Sequence, residues 1–257
     1  MKYNTAWTKG QLSTANKQVI IAIDHGLSFP DIAGLEFPVK TLRKIADNNR
    51  VDGLIANMGI YRIAESQKID LSGKNRLLTV DWAAVNSNGQ MTHRELVTSL
   101  EDAVMFHPDC FKMFFNVYSD KKDLFYNIRD LSRAATVAMK SGISCLAEVV
   151  LWNIDPQTSS SQQMRLLYNG CRMALEAGAD CLKIPRIGPA DGINELIDKL
   201  ELPTFFLGGN KFDDPEEFKT SLSELKDMNV CGLMFGRNVW QCNNMDDMTD
   251  LIFSIFK

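Results

Sequence analysis

Eight short apolar runs recur along the whole chain, and most of them lead into a stretch of helical periodicity. They are residues 19–24 (VIIAID), 53–57 (GLIAN), 76–81 (RLLTVD), 111–117 (FKMFFNV), 145–152 (CLAEVVLW), 180–185 (DCLKIP), 204–209 (TFFLGG) and 231–236 (CGLMFG). Each is rich in β-branched or aromatic residues and bounded by Gly, Pro, Asp or Asn. Strands that meet water on neither face read this way. Between them the apolar spacing predicts helices over Val39–Asp47, Thr92–Phe106, Leu124–Met139, Ser161–Ala177, Gly192–Leu200 and Pro215–Met228. Helix starts are expected at Asp120–Asp123 and Asp213–Pro215, and helix ends at Gly142 and Gly178. Eight strand–helix units at this spacing predict a closed (β/α)8 barrel, a single domain over residues 1–257. No G-x-G-x-x-G follows the first run, which argues against an open doubly wound sheet.

Composition narrows the partners. Hydrophobic residues make up 45% of 257, enough for a sizeable core, which excludes intrinsic disorder. The net charge is −4 with no basic stripe, so nucleic acid is not an expected partner. The longest apolar stretches fall far short of the ~20 residues of a membrane span. The polar N-terminus lacks the apolar core of a secretory signal. The six cysteines form no C-x-x-C pair and read as small buried hydrophobes in a cytoplasmic, thiol-reducing setting.

The informative residues are charges inside or ending the apolar runs, because an unpaired buried charge costs several kcal/mol. They are Asp24, Lys112, Glu148 and Lys183, from runs one, four, five and six. At the C-terminal mouth of a barrel, side chains from different strands converge on one pocket. A lysine amine in a desolvated pocket adds to a ketone or aldehyde, and the resulting iminium draws electrons from the adjacent carbon–carbon bond. Lys183 is the candidate amine. Lys112 is either the cation that shapes its field, a clamp for an anion, or an ion-pair partner of Glu148 or Asp24. Glu148 and Asp24 are the candidate proton-transfer groups. His25 follows Asp24 directly and is expected to point the other way, as a structural residue. Arg186 and Trp82 are candidates for lining the pocket, Trp82 more readily as a packing residue, and residues 156–163 (PQTSSSQQ) read as a mobile loop on the active face.

Glycine pairs follow the last two runs. Gly208-Gly209 and Gly236-Arg237 would let backbone N–H groups approach an anion, with the guanidinium adding a fork. This is the usual phosphate position in such barrels. Three histidines, at 25, 93 and 107, do not build a zinc aldolase's ligand cluster, so neither metal nor cofactor is expected.

Asp24-His25-Gly26, Gly178-Ala179-Asp180 leading to Lys183, Gly208-Gly209 and Gly236 to Gln241 (GRNVWQ) resemble the DeoC/LacD group, the DhnA-type class I aldolases. The resemblance spans nearly the whole chain and is most specific from Gly178 to Gln241. It implies a (β/α)8 barrel, a Schiff-base lysine at Lys183, a strand-one aspartate at Asp24, and phosphate or sulfonate binding at Gly208, Gly209, Gly236 and Arg237. The archaeal fructose-bisphosphate aldolases of this group carry a catalytic tyrosine in a Tyr-Pro-Arg-Gly stretch after strand five. Here the stretch reads Val150-Leu151-Trp152-Asn153. Glu148 and Lys112 instead match the tagatose-bisphosphate and sulfofructosephosphate branch. The implied activity is cleavage or formation of a phosphorylated or sulfonated ketose, giving dihydroxyacetone phosphate or a similar ketone plus an aldehyde, by a homo-oligomer. Transaldol or thiolase-like transfer on the same lysine, and a non-catalytic sugar-phosphate-binding barrel, are the alternatives.

Overall fold

A computed structural model describes residues 16–117 and 121–257. Asp120 and most of the polar N-terminus lie outside the described residues. The eight apolar runs form β1 (Gln18–Ala22), β2 (Gly53–Asn57), β3 (Asn75–Thr79), β4 (Cys110–Asn116), β5 (Ser144–Val150), β6 (Cys181–Ile184), β7 (Thr204–Leu207) and β8 (Gly232–Phe235). All pair in parallel and close into a barrel in the order β1-β8-β7-β6-β5-β4-β3-β2. Outside it lie α1 (Pro38–Asp47), α2 (Met58–Ser66), the short α3 (Leu100–Ala103), α4 (Lys121–Ser141), α5 (Ser160–Glu176), α6 (Ala190–Leu200), α7 (Pro215–Lys226), the short α8 (Arg237–Trp240) and α9 (Met245–Phe256). Gly142 and Gly178, just past α4 and α5, have φ of 72° and 104°, as helix-ending glycines do. No helix among the described residues is long and apolar enough to cross a membrane.

The core has two layers with different jobs. Between sheet and helices lies a large apolar shell. Inside the barrel lies a smaller plug that includes Ala22, Leu77, Cys110, Leu146, Cys181, Phe205 and Met234. Side chains alternate along a strand, so the residue two further on also faces inward, one layer nearer the C-terminal mouth. Those residues are Asp24, Thr79, Lys112, Glu148, Lys183, Leu207 and Gly236. The plug is thus the floor of a polar layer, most of which the strand period assembles.

Two expectations fail. Thr92–Phe106 is not one helix. After β3 the chain makes an antiparallel hairpin of Asp81–Val85 and Met91–Leu96, and only Leu100–Phe106 is helical. The signal was present: Asn88-Gly89 sits between two alternating runs, and Gly89 takes φ 75° at the turn. The expected mobile loop is also partly ordered. Its last residues begin α5, closed by a reciprocal Ser159–Gln162 cap.

The hairpin is held at its base by a buried ion pair. Arg94 Nε donates to Asp81 Oδ2 at 2.7 Å, and the same carboxylate oxygen accepts the Phe114 N–H at 2.9 Å. Arg94 also reaches Asp130 of α4 at 3.3 Å. Burial raises the Asp81 carboxyl pKa despite Arg94 and Lys112, so its charge depends on its partners. Arg94→Met leaves that carboxylate buried without its main cation. The expected loss is about 3–5 kcal/mol, read as a lower urea midpoint at unchanged slope.

Candidate active site

At the C-terminal mouth the polar layer opens into a cavity of about 580 Å³. Its lining includes Asp24, His25, Phe114, Glu148, Lys183, Gly208, Gly209, Gly236 and Arg237. Seven of the eight residues read from sequence as catalytic or anion-binding therefore face one space. Lys112 is the exception.

The charges form an alternating chain. Lys183 Nζ lies 3.0 Å from Glu148 Oε1, and Lys112 Nζ lies 2.7 Å from Glu148 Oε2 and 3.2 Å from Asp24 Oδ2. Thr79 Oγ1 donates to Asp24 Oδ2 at 2.7 Å. Strand register makes these contacts: Lys183 pairs with Glu148 across β5 and β6, and Thr79 with Lys112 across β3 and β4. Burial disfavours ionisation of both carboxyls, yet Lys112 foremost holds Asp24 and Glu148 below the usual carboxylate range. Burial likewise opposes the charge on Lys112, but Asp24, Glu148 and Asp81 overcome it and raise its pKa.

Lys112 is completely buried, with its ammonium 3.2 Å from the centre of the Phe114 ring. Phe114 is the next inward residue on β4 and forms the cavity surface above it. Lys112 therefore acts on the site through its field and its two carboxylates, from beneath an aromatic cover.

His25 departs from expectation. Residues Asp24–Leu27 form a 3-10 turn, so strand alternation ends at Ala22 and His25 swings into the cavity. Its Nδ1 lies 3.6 Å from Asp24 Oδ1, beyond hydrogen-bond reach. The ring packs edge-on against Trp240 at 5.3 Å between centroids. A Cβ on Gly236 would come within 2.7 Å of the imidazole, which is why a side chain is excluded there. Arg186 also differs from expectation, whereas Trp82 takes the packing role its position favours. Arg186 turns away to Glu224 and Ser221 of α7, and Trp82 ties the hairpin to the first loop by donating to the Leu27 carbonyl at 2.9 Å.

The loops after β7 and β8 share an organiser that sequence reasoning left out of the site. Buried Asn238 donates through Nδ2 to the carbonyls of Gly208 (2.9 Å) and Asn210 (3.1 Å), and accepts from the Phe212 N–H (2.9 Å). It stitches the loop after β7 to the one after β8. Arg237 is half-buried beside it and has no ion-pair partner among the described residues, and burial lowers its pKa. A partly desolvated guanidinium beside glycine backbone suits an oxyanion.

No protein-family model matches the chain. Curated relatives do. A protein named as an uncharacterised aldolase from Saccharolobus solfataricus is 25% identical over 250 residues, covering 95% of this chain and 91% of that one. A 2-amino-3,7-dideoxy-D-threo-hept-6-ulosonate synthase from Halobacterium salinarum is 25% identical over 247 residues, covering 95% and 88%. Among solved structures, one of a Schiff base-forming fructose-1,6-bisphosphate aldolase superposes with a TM-score of 0.78 at 20% identity, covering 94% of this chain and 95% of that one.

The site's electrostatics predict an acid response. Burial, against the pull of Asp24, lowers His25 to about 4, so the folded imidazole is neutral where the unfolded one titrates near its ordinary value of about 6.5. This contribution to stability is complete above about pH 6.5 and declines as pH falls toward 4, by about 3 kcal/mol. The lowered Asp24 and Glu148 add a further loss below their ordinary carboxyl range. Urea midpoints between pH 7.5 and 4.5 should fall with pH, and His25→Gln should flatten the decline above pH 4.5.

The similarity covers nearly the full length of the chain, with one curated relative named as an aldolase and another as a synthase, and the chain is an enzyme of the lyase class.

Proposed function

We propose that this chain is a metal-independent class I aldolase for a ketose with one phosphorylated or sulfonated end, with Lys183 as the Schiff-base amine. The observation that carries the reading is Lys183 Nζ, nearly buried and 3.0 Å from Glu148, in the cavity that also presents Arg237. Glu148 is held ionised by Lys112, so it is ready to accept the proton that Lys183 must shed. The free amine adds to the ketone carbon, and a proton passes from its nitrogen to the carbonyl oxygen to give a carbinolamine. Glu148 returns its proton to that hydroxyl, which leaves as water. The iminium places a positive charge on the same nitrogen the ammonium occupied, so the Glu148 pairing survives the change. A carboxylate then takes the C4 hydroxyl proton, the C3–C4 bond breaks, and its electrons pass into the iminium as an enamine. The aldehyde leaves, C3 is protonated, and water releases the ketone.

Asp24, at the cavity wall and linked to Glu148 through Lys112, is the second carboxylate of the relay. Gly208, Gly209, Gly236 and Arg237 hold the anionic end. Use of a strand-five glutamate with a strand-four lysine follows the tagatose-bisphosphate and sulfofructosephosphate pattern, and names a mechanism rather than a sugar.

Borohydride with dihydroxyacetone phosphate should leave a reduced adduct that peptide mass mapping places on Lys183. Lys183→Met should give none, and Glu148→Gln should slow trapping and turnover about 10²–10⁴-fold while the variant still folds. An unmodified Lys183 in the wild-type protein, with saturating ketone, would overturn the proposal.

A further inference from the structure

The cavity has two unlike ends. The β8 loop, with Arg237, stands across the barrel from β4, and the β7 loop stands across from β3. The wall opposite β8 is built by Phe114 near the end of β4 and by Leu151, Trp152 and Ile154 after β5. Phe114 and Trp152 pack ring to ring with centroids 5.2 Å apart. Among the described residues that line the cavity, Lys183 and Arg237 are the cations. Lys183 is engaged with Glu148 at the reacting centre.

Three other cations near the apolar end are turned elsewhere. Lys112 lies sealed under Phe114, Arg94 is committed to Asp81 and Asp130, and Arg186 is committed to Glu224. Asp24 and Glu148 line the floor as carboxylates and repel a second anion. Burying a phosphate against an aromatic and aliphatic wall without a cation costs several kcal/mol, whereas a methyl or methylene gains from the same contact.

We infer that the substrate carries its anionic group on the ketone-bearing fragment alone, and that its aldehyde fragment is uncharged and ends in an apolar group. This rests on the aldolase reading above and deepens it to a ketose monophosphate, or its sulfonate counterpart, rather than a bisphosphate. In the synthetic direction the enamine carbon of the ketone phosphate bonds to the carbon of a short neutral aldehyde. The aldehyde oxygen takes a proton, and water releases the product from Lys183.

The test uses the full chain and two readouts. Dihydroxyacetone phosphate with borohydride reports the Schiff base without any aldehyde. Condensation of dihydroxyacetone phosphate is then followed with propanal, with lactaldehyde and with glyceraldehyde 3-phosphate. The neutral aldehydes should exceed glyceraldehyde 3-phosphate in kcat/KM by at least tenfold, and Leu151→Arg should narrow or reverse that ratio. An adduct on Lys183 combined with equal or faster use of glyceraldehyde 3-phosphate overturns this inference alone, as does an adduct with no turnover of either neutral aldehyde. Absence of the adduct overturns the aldolase reading and this inference with it.

Discussion

The site depends on a buried row of alternating charges: Asp24, Lys112, Glu148 and Lys183. Each ion alone would be expensive to remove from water, and a buried pair need not stabilise a fold at all. The row is tolerable because each inner member touches two opposite charges, and because the four sum to zero. Its value is positional. The members come from β1, β4, β5 and β6, so a shift of one residue in any of these strands would carry a charge out of the barrel and into the apolar shell. The same contacts that make the carboxylates acceptors therefore also penalise wrong registers. Lys112 is the hinge of this arrangement. It is the one member with no surface on the cavity, and it holds both carboxylates ionised.

Much of the fold was legible because buried parallel strands leave a coarse imprint. Runs such as residues 145–152 and 204–209 have no polar face, and their recurrence dictates a closed sheet covered by helices. The charged site residues were legible for the complementary reason. Lys183 inside DCLKIP and Glu148 inside CLAEVV violate the pattern of their own strands, and such violations gather at functional sites. The hairpin was obscured because Thr92–Phe106 contains enough helix-compatible spacing to hide a strand followed by a short helical turn. The Asn88-Gly89 pair outweighs that spacing, since it turns the run ending at Val85 back into an antiparallel partner that begins at Met91.

Residues that act through loops were less legible. Strand alternation placed Asp24 correctly on the inner face but failed one residue later, because the chain leaves the strand at Ala22 and coils into a 3-10 turn. His25 then shares the cavity with its neighbour rather than opposing it. Asn238 carried no signal of chemistry of its own. Its importance is that one carboxamide satisfies backbone groups from two loops whose only link in sequence is that both end barrel strands. Arg186 failed in the opposite way. Its position after β6 suggested the pocket, but Glu224 on α7 offers it a carboxylate outside.

The same logic ties the cradle to the acid–base row. Gly236 must lack a side chain because His25 rests where a Cβ would sit. Trp240, three residues after Arg237, closes the other side of that imidazole and anchors itself to the Ala22 carbonyl through its indole N–H at 2.9 Å. The turn that carries Asp24 is therefore packed against the segment that carries Arg237. β1 and β8 are adjacent strands of a closed sheet, and one imidazole packs between the turn that carries Asp24 and the segment that carries Arg237.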